Sequence, residues 1–348
     1  LNSIFNSLIS SKTLKKGFTS IDLPECFHKC DYSINQLLAL NEFLILNGKF
    51  TIANLFREKA LEKALSYNSK NGFNPLAFSH LFNASLETNN YELAKEIIYK
   101  IEKSFLKLFF NIKKMRIYLS VTSSEHDSTN VIKFNRSVDE NFLRLIENKN
   151  IAIIGPAPVK KISQGELDYF DLIIKVNFGG ELRNYKNSNF KKTDIAYYNG
   201  TQSKKLNSSS AELLNSIKFT CTVKNRKLRK FSRLIRNIRP IHEYHFSFEG
   251  ELNIIPKTII DLLHFNPRKI KLYGVTLYLS NKLYVNDYKN FESEWHTKNK
   301  WRMFTNHNQI TQLRLYKNLT QNKKLDLHDE VEKVVSMNEN DFLYALEE

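Results

Sequence analysis

The residues with legible chemistry lie in the second half of the chain. Gly155-Pro156-Ala157-Pro158 closes an apolar run at 151–154, and a second run, Leu172–Val176, ends on Asn177. A small, rigid turn after a buried strand lets a ligand approach the backbone closely, and ligands of open α/β sheets bind at the carboxyl ends of strands. Asn177 and Asn199 each end a strand, where a side-chain amide can pair with a base, ribose or phosphate. Thr258 reads as the start of a helix, where backbone N–H groups and the dipole favour an anion. His307 opens a later helix, and imidazole titrates near neutral pH, which suits a base. His296, Tyr284 and Tyr288 add donors for a phosphate. Together these residue types predict a nucleotide site. Each has a plainer use beside it: the asparagines and Thr258 as caps, the tyrosines as packing, His307 as a surface residue at a helix start.

The loop is neither a Gly-x-Gly-x-x-Gly fingerprint nor a Walker loop, because the later glycines and the Gly-Lys-Ser/Thr are absent. Its meaning comes from the order of the segments C-terminal to it. After the strand and Gly155 come Gly165-Glu166-Leu167-Asp168-Tyr169-Phe170-Asp171 and a second strand ending in Asn177. Lys192-Thr193-Asp194 then leads to Tyr197-Tyr198-Asn199-Gly200. Further along the chain, Pro256-Lys257-Thr258 precedes a helical stretch at 259–265, a strand ending in Tyr273-Gly274, and Val275-Thr276-Leu277-Tyr278. His307 comes last. This succession, over about 149–340, resembles the sialylmotifs of the sialyltransferases.

The resemblance implies a metal-independent glycosyltransferase without a cofactor. It would move sialic acid or Kdo from a CMP-activated donor to a glycan hydroxyl, with inversion and His307 as base or phosphate donor. It assigns donor binding to Gly155, Pro156, Ala157, Pro158, Asn177, Asn199, Gly200, Thr258, Gly274, Tyr278, Tyr284 and His296. Three departures stand out. Pro156 replaces the usual Asn, Gln312 stands where a Glu follows the histidine, and the bridging cysteines of animal enzymes have no counterpart. One alternative is a retaining CMP-Kdo transferase with Glu166, Asp168 or Asp194 as nucleophile. Another is a non-catalytic nucleotide-binding or interaction protein.

Positioning such a set requires a sheet. Runs at 151–154, Leu172–Val176, Ile195–Tyr198, 218–223 and 269–273 alternate with helical stretches, among them 210–216 and 258–265. The alternation predicts a Rossmann-like, mostly parallel sheet with flanking helices, the GT-A-like variant in the resemblance. Ahead of it, apolar residues at helical spacing predict an all-helical domain at 1–120. Residues 47–61 and 88–101 echo each other as tetratricopeptide-like hairpins do. The polar segment 121–137 reads as a linker, 138–348 as the catalytic domain, and 309–346 as an amphipathic helical tail.

The chain has 348 residues, a net charge of +16 and 42% hydrophobic residues, which excludes compositional disorder. Eight Lys and Arg lie between 224 and 239 with no acidic residue among them, a surface suited to anionic lipid or acceptor. No nucleic-acid motif accompanies the charge. Cys26, Cys30 and Cys221 do not form a zinc pattern, and no clustered His or carboxylate ligands occur, so no metal is expected. No stretch is long and apolar enough to cross a bilayer. The expected setting is cytoplasmic and peripheral to the inner membrane. A protein partner is expected at the helical N-terminal domain.

Overall fold

The computed structural model describes residues 31–67, 74–123, 137–157, 164–177, 193–203, 208–223, 235–279 and 300–348. The first of these fold as α1 (Ile34–Leu46), α2 (Phe50–Leu65), α3 (Pro75–Glu87), α4 (Tyr91–Glu102) and α5 (Ile112–Thr122). Ser33 opens α1 with a capping box, and Asn74, Asn90 and Asn111 accept first-turn N–H groups of α3, α4 and α5. The internal echo has a structural counterpart. Gly48 and Asn89 both adopt left-handed backbone, at φ 70° and 56°, just before α2 and α4. Ala53 and Ala94, one turn into those helices, are both buried.

After α6 (Ser137–Ile146) the chain builds one seven-stranded sheet from β1 (Asn150–Ile154), β2 (Leu172–Val176), β3 (Ile195–Tyr198), β4 (Phe219–Thr222), β5 (Ile238–Pro240), β6 (Lys269–Tyr273) and β7 (Asp326–Leu327). Every pairing is parallel, and the order is β5-β4-β3-β2-β1-β6-β7. This is an α/β, Rossmann-like architecture. Parallel strands are covered on both faces and therefore apolar throughout. All residues of β2 and β3 are buried, including Lys175. The covering helices include α7 (Gln164–Asp168), α8 (Gly200–Ser203), α9 (Ser208–Ser216) and α10 (Ile254–Leu263). Then come α11 (Lys300–Asn306), α12 (Gln309–Gln321), α13 (Asp329–Val335) and α14 (Glu339–Glu347).

The buried side chains of α1 to α5 run without a break into those beneath the sheet and in the C-terminal helices. Phe50 of α2 meets Phe304 of α11 edge-to-face at 5.1 Å. Arg57 of α2 is buried and contacts Glu87, Glu249 and Thr311. Arg314 of α12 joins the same group through Glu58, Glu87 and Glu339.

Three sequence expectations need correction. The helix expected from Thr258 begins at Ile254 and is capped by Asn253, whose side chain accepts the Ile255 N–H. Pro256 lies in the first turn, where its missing N–H costs no hydrogen bond. Thr258 is therefore interior, fully buried, and donates to the Ile254 carbonyl at 2.8 Å. Second, Arg239 does not belong to a basic surface. It is fully buried in β5, bidentate to Asp261, bonded to Asp139, and set against the rings of both Phe142 and Phe265. Burial alone would raise the Asp261 pKa, but Arg239 holds that carboxyl below its ordinary value. Arg236 is exposed, and residues 224–234 lie outside the described residues. Third, β7 interrupts the tail expected to be wholly helical.

Candidate functional site

Strand order reverses between β1 and β6, which makes the crevice at their carboxyl ends the place where open parallel sheets bind ligands. Gly155 follows β1 and Gly274 follows β6. The Gly155 N–H donates to the Tyr273 carbonyl at 2.8 Å, and the Ala157 N–H to the Gly274 carbonyl at 3.0 Å. Gly274 has φ +64°, and a Cβ there would sit 2.8 Å from the Gly155 oxygen. A Cβ on Gly155 would collide with the Gly274 carbonyl. Two glycines are thus required for the two loops to meet back to back. Among its described residues the loop presents no N–H to a phosphate: those of Gly155 and Ala157 are occupied, and Pro156 has none.

Beside this pair, Asn177 ends β2 in left-handed backbone at φ +49° and Asn199 ends β3. The Asn177 Oδ1 accepts the Asn199 N–H at 3.2 Å, and the Asn199 Oδ1 accepts the Gln202 N–H at 2.8 Å, so both do serve as caps. Their Nδ2 groups have no protein acceptor among the described residues, and both residues are half-buried. The Oε1 of Gln202, in α8, is buried without a partner. Gly200 is the first residue of α8. Beneath them the Tyr197 hydroxyl donates to Asp261 at 2.8 Å, which fixes the strand end on the Arg239 network.

The turn after β6 is strained. Leu277 and Tyr278 both have positive φ, 46° and 69°, and the Leu279 N–H returns to the Thr276 carbonyl at 3.0 Å. Bulky residues there cost on the order of 1–3 kcal/mol each, and such strain concentrates at functional sites. Packing holds it: Leu277 is buried and the Tyr278 ring lies 5.1 Å from Phe304.

His307 lies between α11 and α12. Helices α10 and α12 each lead into a strand parallel to the rest, so both begin on the side of the carboxyl ends. His307 is therefore on the same side of the sheet as the asparagines. No hydrogen bond or ring contact among the described residues joins it to them. Its Nδ1 meets the Glu251 carbonyl at 2.8 Å, which leaves Nε2 as the acceptor nitrogen when Nδ1 carries the proton. Burial is the largest influence on its pKa and lowers it; the Glu251 carbonyl opposes this and Lys257 assists, with a net lowering. Gln312 is fully buried and donates to the His307 and Asn308 carbonyls at 3.4 and 3.3 Å, holding the backbone rather than the ring.

The carboxylates considered as nucleophiles take three separate places. Asp194 is buried at the amino end of β3, bonded to the Ile173 N–H at 2.8 Å and Lys218 at 3.0 Å. That is a strand length, roughly 13 Å, from the carboxyl ends. Glu166 in α7 accepts from the Tyr273 hydroxyl at 2.8 Å and Lys271 at 3.2 Å. Asp168 is exposed at the end of α7, just before β2. Pro158, Tyr284, Tyr288 and His296 lie outside the described residues.

Lys175 was missed by sequence reasoning. It is 3% exposed, next to last in β2 and level with Ile154 at the end of β1. A lysine inside the otherwise apolar Leu172–Val176 was the signal.

Among the described residues, no helix is long and apolar enough to cross a membrane. Compared with models of known protein families and with curated proteins, the chain matches none.

Proposed function

We propose that the protein is a glycosyltransferase that binds a CMP-activated acidic sugar across the carboxyl ends of β1, β2, β3 and β6. The observation that carries this reading is the convergence of the Gly155–Gly274 contact with the Asn177 and Asn199 amides at the strand-order reversal. Close backbone approach suits a flat base or ribose, and the two amides supply donors. With the N–H groups of Gly155 and Ala157 occupied, charge on the donor falls to side chains.

In the reaction, His307 Nε2 takes the proton of an acceptor hydroxyl as its oxygen attacks the anomeric carbon. The bond to the CMP phosphate breaks and CMP leaves with the electron pair. The depressed pKa keeps the imidazole neutral at pH 7, as a base must be. The scheme needs no metal and inverts the anomeric centre. The site of Asp194 argues against it as the nucleophile of a retaining route. Buried Thr258 has no part in holding the sugar carboxylate. The acceptor fits a glycan assembled at the cytoplasmic face of a membrane.

A thermal melt with CMP, UDP and GDP tests the binding step. At a hundredfold excess over Kd, CMP should stabilise the chain by about 2.7 kcal/mol, a rise of several degrees, with UDP and GDP weaker. Release of CMP from CMP-Neu5Ac or CMP-Kdo then tests the chemistry. No response to any of the nucleotides removes the reading; stabilisation by CMP without turnover leaves a nucleotide-binding module.

A further inference from the structure

The turn between α4 and α5 is built outside in. Phe105–Leu108 form a single 3₁₀ turn, capped by Ser104, whose hydroxyl accepts the Leu106 N–H at 3.2 Å. Leu106 alone is fully buried and pins the turn to the core. Its neighbours face water: Phe105 is 53% exposed, Leu108 80% and Phe109 64%. Phe105 and Phe109 pair edge-to-face at 6.3 Å, so they form one apolar tip. Single exposed apolar residues are ordinary, but a large cluster on one turn marks an interaction surface.

Its surroundings define the partner. From Tyr99 to Arg116 the sequence carries six basic residues and one acidic residue, Glu102, which pairs with Arg116. Lys103, Lys107 and Lys113 are exposed around the tip, and none has a carboxylate partner among the described residues. Lys103 lies over the ring of Tyr99, itself 61% exposed, at 5.7 Å. Protein interfaces are depleted in lysine, which loses hydration and rotamer freedom there. A bilayer surface accepts the same arrangement. Aromatic and leucine side chains enter the headgroup boundary, while lysine stems lie along it with their ammonium groups among anionic phosphates.

The geometry points to Phe105, Leu108 and Phe109, ringed by Lys103, Lys107 and Lys113, as a docking tip for an anionic lipid bilayer. This surface is distant in sequence from the basic stretch at 224–234, and the proposal does not depend on what the sheet binds.

Sedimentation of the full chain with vesicles tests it. The protein should pellet with vesicles containing about a third phosphatidylglycerol and stay in solution with pure phosphatidylcholine, and salt should weaken the binding. Phe105→Ser, Leu108→Ser and Phe109→Ser together should reduce partitioning about a hundredfold without lowering the melting temperature. Lys103→Glu, Lys107→Glu and Lys113→Glu together should reduce it by more than about a hundredfold. Wild-type protein that ignores anionic vesicles overturns the proposal, as does a serine variant that binds like wild type. A dimer in ultracentrifugation that the serine variant dissolves, with no lipid binding, would assign the tip to a second copy instead. Loss only on reversing the charges at 224–233 would assign lipid binding to that stretch.

Discussion

The two edges of the sheet use similar side chains differently. At the amino-terminal edge, Asp171 accepts the Asn150 N–H and Asp194 the Ile173 N–H, each at 2.8 Å. Asn215 accepts the Arg236 N–H and Asn237 donates to the Lys218 carbonyl, each at 3.0 Å. Each bond ties the approach to one strand to the start of its neighbour. At the carboxyl edge, Asn177 and Asn199 use their oxygens in the same local way but keep their Nδ2 donors without a protein acceptor among the described residues. An edge that only holds the fold satisfies its polar groups within the protein; an edge that binds leaves some for a ligand.

The largest expected effect lies at the amino edge. Asp194→Ala removes the acceptor of a buried N–H and the partner of Lys218. A stranded N–H and a lost charged hydrogen bond cost about 2–3 kcal/mol, readable in urea or thermal unfolding. The shift in melting temperature produced by CMP should stay as in wild type. Loss of the CMP response with unchanged stability would reverse the roles assigned to the two edges.

The smaller counterpart is Asn177→Gly. Glycine keeps the left-handed backbone that alanine would strain. Stability should change by less than about 1 kcal/mol, since one part-buried hydrogen bond is lost. CMP affinity should fall roughly tenfold to a hundredfold, the worth of a hydrogen bond to a charged or buried ligand group. Titration calorimetry reads this directly, and equal affinity in the glycine variant would make Asn177 a cap and nothing more.

These edges were legible to different degrees. Strands β1 and β2 show as isoleucine- and valine-rich runs because both their faces are buried, and β3 and β6 show as short stretches that end in tyrosine. Strand β5 was hidden because its three residues, Ile238-Arg239-Pro240, look like the end of a basic stretch. The burial of Arg239 depends on Asp139 and Asp261, far away in sequence. Strand β7 is two residues long, too short for any period. Pro256 reads as a turn but lies in the first turn of α10, which places the expected anion site at Thr258 inside the helix. Gly155 and Gly274 are both readable as site residues, but their back-to-back contact follows only from β6 lying beside β1. Adjacency in the sheet, rather than local composition, supplies what the sequence left out.

The smallest expected effect on stability concerns His307 and carries a sign. Burial lowers its folded pKa below the ordinary value of about 6.5, with Lys257 adding to that and the Glu251 carbonyl opposing it. Between the folded and unfolded values the unfolded chain binds the extra proton. The contribution to stability is therefore present above pH 6.5 and lost as pH falls from there through the folded pKa. The same depression keeps Nε2 unprotonated, so the acidic limb of kcat/KM should lie below pH 6.5 rather than at it. His307→Gln should abolish turnover while reducing the loss of melting temperature between about pH 7.5 and about pH 5. Lys257→Met removes a neighbouring positive charge and should move the acidic limb upward, toward the ordinary histidine value, with the maximal rate retained. A limb unmoved by Lys257→Met, or full turnover in His307→Gln, would take the base away from His307 and leave the carboxyl edge as a binding surface.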